Sequence, residues 1–172
     1  MADSPLRGAN GRHEWFWEPD DENNIYPLTT LMDMYEKSVG RNATLIIGLT
    51  PDPDGLLPAG DEQRLKEWGE EINRRFGTPL AETQGRRQRL TLNLNEKQPV
   101  NYCIIQEDIA KGERIRQYKI EAKSQRKMAD SVLRRVCGTQ THCTLRTGRN
   151  HRLAPHRNPI RCLTRNQTFQ CL

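Results

Sequence analysis

Hydrophobic and polar positions change period along the chain, and each period predicts a different element. Over "LTTLMDMYEKSVGRN" (28–42), Leu28, Leu31, Met32, Met34, Tyr35 and Val39 fall largely on one helical stripe. Thr29 or Thr30 is placed to cap its start and Gly40 to stop it, which predicts a helix near 28–39. "ATLIIGL" (43–49) is an almost unbroken apolar run, the pattern of a strand buried on both faces as in a parallel sheet. Turn formers crowd "TPDPDGLLPAG" (50–60). In "DEQRLKEWGEEINRRFG" (61–77), Leu65, Trp68, Ile72 and Phe76 recur at threes and fours. Acids stand early, Arg74 and Arg75 late, and Gly77 closes the segment, predicting a helix near 61–76. Helix, buried strand, loop and helix make a βα unit of an α/β fold.

Further on, the period becomes two. "QRLTLNLN" (88–95) puts Leu90, Leu92 and Leu94 on one face, predicting a strand near 88–94. "NYCIIQEDI" (101–109) and "RIRQYKIEAK" (114–123) predict strands near 101–107 and 113–123, joined through "AKGE" as an antiparallel hairpin. The shift in composition near 79–86 marks a domain boundary.

Charge sharpens that division. The net charge is +5 over 172 residues. Residues 1–79 hold 8 Lys+Arg against 15 Asp+Glu, residues 80–127 hold 11 against 6, and residues 128–172 hold 8 against 1. The basic balance therefore belongs to the end of the chain. No apolar run approaches the roughly 18–20 residues that span a membrane, and "MADSPLRGANGRHEW" has neither the charged start nor the apolar stretch of a signal peptide.

Candidate chemistry concentrates in two places. "RHEWFWEPDDENNIYP" (12–27) sets Trp15, Phe16 and Trp17 among Glu14, Glu18, Asp20, Asp21 and Glu22, next to Arg12 and His13. Taken alone, such a triplet packs into a core and its acids form a solvated face. The second place is 128–172, with eight Arg, no Lys and four of the five Cys. Structural zinc prefers close Cys pairs, whereas Cys137 and Cys143 are six apart and Cys162 and Cys171 nine apart; His151 and His156 have no such pair beside them. The spacing supports neither a metal site nor a disulfide framework. With Phe169 the only aromatic, a nucleic-acid arm is not supported either.

The residues also carry a resemblance. "HEWFWEPDDE", followed by "LMDMYEKSVGRNATLIIGLTPDPDGLLPAGDEQRLKEWGEEI", resembles the end of the catalytic barrel in the α-L-fucosidase family of glycoside hydrolases. That family shows a "WFW" or "WFY" segment, a helix ending in "SVGRN", a strand like "LLLNI", a "P-D-G-L/I" turn and a helix of the "L-K-E-W/F-G" type. Gly48 stands where the family often has Asn. The match runs continuously over about residues 3–79, and "PVNYCIIQEDIAKGERIRQYKIEAK" (99–123) is similar to the sandwich that follows the barrel.

The resemblance implies an α/β part followed by an all-β part. Residues 1–79 would form the C-terminal end of a (β/α)8-like catalytic barrel, residues 86–127 an incomplete, carbohydrate-binding-like antiparallel β-sandwich, and residues 128–172 a disordered tail. It implies a retaining enzyme acting on fucose-containing glycans through a covalent fucosyl intermediate, without metal or cofactor. Such chemistry needs two carboxyl groups about 5–5.5 Å apart. The family nucleophile is an Asp on an earlier strand, for which this chain has no sequence, so the chain alone is expected to be inactive. Glu14 and Glu18 are acid/base candidates by adjacency to the aromatics, and Asp3 by an alternative alignment. Trp15 or Trp17 would face the sugar, with the other packed beneath the loop, and Arg12 and His13 would bind hydroxyls. No nucleic acid or membrane partner is implied. Exposed barrel edges would favour self-association, and family members usually act in the periplasm or outside the cell.

The family's sandwich strand continues into text such as "KWQTLC", "GHKRI" and "RF", whereas here it reads "KMADSVLRRVCGTQTHCTLRTGR". Removing one adenine at the Lys127/Met128 junction forces a Trp codon after Lys and permits Gln-Thr-Leu-Cys. The same shift over Gly138 to Arg146 permits the later text. A frameshifted tail accounts together for the lost alternation, the Arg and Cys excess and the missing Lys. Two function classes follow: part of a fucoside hydrolase, or a non-catalytic carbohydrate-binding or interaction protein using the aromatic loop and the sandwich.

Overall fold

A computed structural model describes residues 1–11, 14–85, 90–94, 100, 102–112, 115, 118–124, 127–134, 141–144, 160–164 and 170–171. The chain divides into two compact units, residues 1–39 with 43–73, and residues 40–42 with 74–172. The expected boundary was near 79–86. No described helix is long and apolar enough to cross a membrane.

The first unit opens with β1 (Ala2–Pro5), followed by a long loop with a 3-10 turn at Glu22–Asn24. Then come α1 (Leu28–Ser38), β2 (Leu45–Gly48) and α2 (Ala59–Phe76). β1 and β2 pair in parallel, Ala2 opposite Leu45 and Pro5 opposite Gly48. The apolar stripe of α1 does what its spacing predicts: Leu31 and Met32 are buried, and Leu31 joins Leu6 and Tyr26 in a core lined by Ile25, Met34, Ile47, Leu49, Leu65 and Trp68. Neither Thr29 nor Thr30 caps the helix. Pro27 holds the N-cap position, and its carbonyl accepts from the Thr30 and Leu31 amides at 2.9 and 3.2 Å; proline's fixed φ suits that entry. Beyond the helix it is Asn42, with φ 67°, that takes the left-handed conformation, not Gly40.

β2 forms within the predicted span but is not buried on both faces, since Ile46 stays 47% exposed. The turn-rich segment closes as composed. The Asp52 carboxylate accepts from the Asp54 and Leu56 amides at 3.0 and 2.9 Å, and Gly55 supplies the positive φ (79°) that other residues avoid. Asp61 and Glu62 then stand in the first turn of α2 and Arg74 and Arg75 in its last, each sign at the end the helix dipole favours.

The second unit holds β3 (Ala81–Gly85), β4 (Tyr102–Glu107), β5 (Tyr118–Ser124), β6 (Lys127–Arg134), β7 (Thr141–Thr144), β8 (Ile160–Thr164) and β9 (Gln170–Cys171). Their orders are β3-β8-β4-β7 and β6-β5-β9. Of the strand expected near 88–94, the described residues show a single bridge at Leu90. Leu90 is buried and Leu92 packs on the same core, so the alternation reports burial correctly, but 91–94 join no ladder. The strand lies just earlier, at β3, and residues 86–89 fall outside the described set.

β4 and β5 arise where predicted, yet they do not make a hairpin: they belong to different sheets. Asp108 accepts from the Ala110 amide, a 3-10 turn covers Ile109–Lys111, Gly112 adopts φ 85°, and the Glu107 carboxylate accepts the Ile115 amide at 3.1 and 3.3 Å. Those bonds occupy the described part of the connection between the two strands. Cys103 and Ile105 of β4 then share one core with Ile115, Tyr118 and Ile120. The sheets are also mixed and not purely antiparallel: β8 runs parallel to β3 and β4, and β9 parallel to β5.

The expectation of an unstructured 128–172 is corrected for four stretches. β6 pairs with β5, β7 with β4, β8 with β3 and β4, and β9 with β5. A ladder is made by backbone groups that any non-proline residue carries, so side-chain periodicity is a poor guide to it.

Candidate functional site

The aromatic loop of the first unit hangs from the end of β1. The Leu6 amide donates to the Gly48 carbonyl at 2.9 Å, the Leu6 carbonyl accepts from Tyr26, and the Gly8 and Ala9 amides donate to the Asn24 carbonyl at 2.7 and 3.0 Å. Arg7 makes antiparallel bridges with both Glu14 and Ile25. The two ends of the loop are thereby held together on β1.

A buried polar lattice fixes it further. The Arg7 guanidinium is 2% exposed. It donates to both Asp61 carboxylate oxygens, at 2.8 Å from Nη2 and 3.5 Å from Nε, and Nη1 lies 3.6 Å from Asp21. Asn24 donates to Glu14 at 2.9 Å and also to Asp21. Burial pushes the Asp21 carboxyl up, but hydrogen bonds with Glu14 and Asn24 and the neighbouring Arg7 charge outweigh it, and the net shift is downward. Several of the acids around the tryptophans are therefore anchors for the loop.

The aromatics divide by exposure. Trp15 is 49% exposed and Phe16 83%, whereas Trp17 is partly buried. Trp15 lies at the carboxyl end of β2, with its indole over Gly48: a Cβ at Gly48 would stand 2.9 Å from Cζ3 and 3.1 Å from Cε3. Of the acid/base candidates, Glu14 is buried in the lattice, Glu18 is exposed on the loop, and Asp3 is exposed within β1. Arg12 and His13 lie outside the described residues. Among the described residues, no group of His, Cys, Asp or Glu is arranged to hold a metal ion.

Arg7, Asn24, Asp61 and Gly48 are absent from any list the sequence suggests. Arg7 and Asp61 are 54 positions apart, so no local spacing links them. Gly48 did carry a signal, as the glycine inside an apolar strand, which often marks close approach by another group.

No family model matches the chain. It is 42% identical over 59 residues to "Putative alpha-L-fucosidase 1" of Oryza sativa subsp. japonica, covering 34% of this chain and 11% of that protein. It is 34% identical over 70 residues to alpha-L-fucosidase 1 of Arabidopsis thaliana, covering 41% and 13%. Among solved structures, one described as a putative alpha-L-fucosidase from Bacteroides thetaiotaomicron VPI-5482 is 66% identical, with a TM-score of 0.81 over 85% of this chain and 34% of that one. A Ruminococcus gnavus GH29 fucosidase solved with fucose shares the fold at 22% identity and a TM-score of 0.66, covering 86% and 35%. The chain thus spans about a tenth of the curated relatives it matches and about a third of the solved ones. On these likenesses, together with the ordered motifs of its first 79 residues, the chain is similar to a part of the α-L-fucosidases, a family of glycoside hydrolases.

Proposed function

We propose that this chain contributes to a retaining α-L-fucoside hydrolase. Its first unit serves as the C-terminal end of a (β/α)8-type barrel, and residues 86–127 begin the β-sandwich that follows. The observation that carries this reading is the half-exposed indole of Trp15, set where β2 ends. Sites in barrels of this kind gather at the carboxyl ends of strands, and an open aromatic face there suits the apolar side of a pyranose. Trp15 is the sugar-facing ring, Trp17 supports the loop from below, and Arg12 and His13 address sugar hydroxyls.

Retention of configuration requires an attacking carboxylate and a second carboxyl that first gives and then takes a proton, about 5–5.5 Å away. Glu14, bound to Asn24 and Asp21, acts as an anchor in this scheme, and Glu18, exposed on the same loop, is the better acid/base candidate. The nucleophile is not assigned to any residue of this chain. Catalytic groups in such barrels come from the ends of several strands, and this chain has one parallel strand pair in that unit.

Accordingly the purified chain is expected to show no turnover of an aryl α-L-fucoside, together with weak binding of L-fucose. Assays beside Glu14→Gln and Glu18→Gln variants test this. Robust turnover abolished by either change would mean that the catalytic pair lies within these residues.

A further inference from the structure

We infer that Gly48 is a positioning residue for the sugar-facing aromatic: its missing Cβ is the seat of the Trp15 indole and sets how far that ring stands from the end of β2. This rests on the reading of Trp15 as the sugar-facing ring and adds what holds it there.

Backbone conformation does not explain a glycine at this position. The positive-φ glycines are Gly8, Gly11, Gly55 and Gly112, and Gly48 is not among them. Its place in a strand is one where glycine weakens the ladder and a β-branched residue would serve better. The contact does explain it. A Cβ here would come within 2.9 and 3.1 Å of two adjacent carbons of a rigid ring, the first closer than real Cβ contacts allow and the second tight, so one of the two groups would have to shift.

The backbone is the less able to give. The Gly48 carbonyl accepts from Leu6, and its register against Pro5 is fixed by the parallel ladder. Trp15 follows Glu14, which bridges Arg7, and its ring is half open to solvent, with room to turn outward. An alanine at position 48 would therefore lift the indole and leave the strand in place.

The test uses the full chain labelled with 5-fluorotryptophan. It contains three tryptophans, and their 19F resonances are assigned with Trp15→Phe and Trp17→Phe variants. In Gly48→Ala the Trp15 resonance should move while that of Trp68 stays. The L-fucose concentration that half-saturates the Trp15 shift should rise about tenfold, as a small misplacement of a positioned group is costly. An unmoved Trp15 resonance in Gly48→Ala overturns the inference, whatever fucose does. If L-fucose moves no tryptophan resonance of the unmodified chain, the sugar reading falls, and the shift caused by Gly48→Ala still decides the seat separately. Should Gly48→Ala fail to fold, Gly48→Ala/Trp15→Ala is compared with Trp15→Ala. Equal melting temperatures support the seat, whereas a further loss in the double variant overturns it.

Discussion

Arg7 is the side chain on which the aromatic loop most depends. It is buried against an Asp61 that is itself fully buried, at 2.8 Å. Removing one partner of such a pair strands the other charge and typically costs about 3–5 kcal/mol, whereas replacing both by apolar groups costs far less. Arg7→Met should therefore lower the urea midpoint sharply, and Arg7→Met/Asp61→Leu should recover most of the loss. Asp21 gives a different signature. Its folded-state carboxyl titrates below the ordinary aspartate range, so it contributes stability above that range and loses it as pH falls through the folded value. Urea midpoints of the wild-type chain and Asp21→Asn, followed from neutral to acid pH, should differ at neutrality and converge below the ordinary aspartate range. The tryptophans could be read from sequence because they are rare and clustered. Arg7 and Asp61 could not, because an ion pair across 54 positions leaves no local pattern.

Elements were legible where local periodicity and burial agree. Leu31 and Met32 in α1, and the charge gradient along α2, are local facts of the chain, and both helices form within two residues of their predicted starts. β1 was not legible: "ADSP" has no apolar rhythm and is a strand because β2 offers it an edge. The separation of β4 and β5 was hidden for a similar reason, since their existence follows from alternation but their partners depend on the connection that holds Asp108, Gly112 and Glu107. Among the described residues, β1 and β2 form a sheet of only two strands, with an outer edge on each and Ile46 exposed on one face. Open edges invite pairing with another chain. Sedimentation velocity is expected to detect self-association at micromolar concentrations, reduced by Ile46→Lys.

For the whole molecule, the end of the chain matters more than its composition suggests, because β6 to β9 supply partners for β3, β4 and β5. Hydrogen exchange should protect amides within Lys127–Arg134 and Ile160–Thr164, and unprotected amides there would restore the expectation of an unstructured tail. Sequencing the gene through codon 127 tests the shifted reading frame separately, since backbone pairing does not depend on the frame that encodes it. The order of the chain has one more consequence. β1 precedes its partner in the chain: β2 begins at Leu45, and the charge that neutralises Arg7 arrives with Asp61. At roughly 5–20 residues per second, several seconds separate the synthesis of β1 from that of Asp61. Its first unit closes from the back, and a nascent-chain binder that recognises extended, unpaired backbone would find its target in that interval.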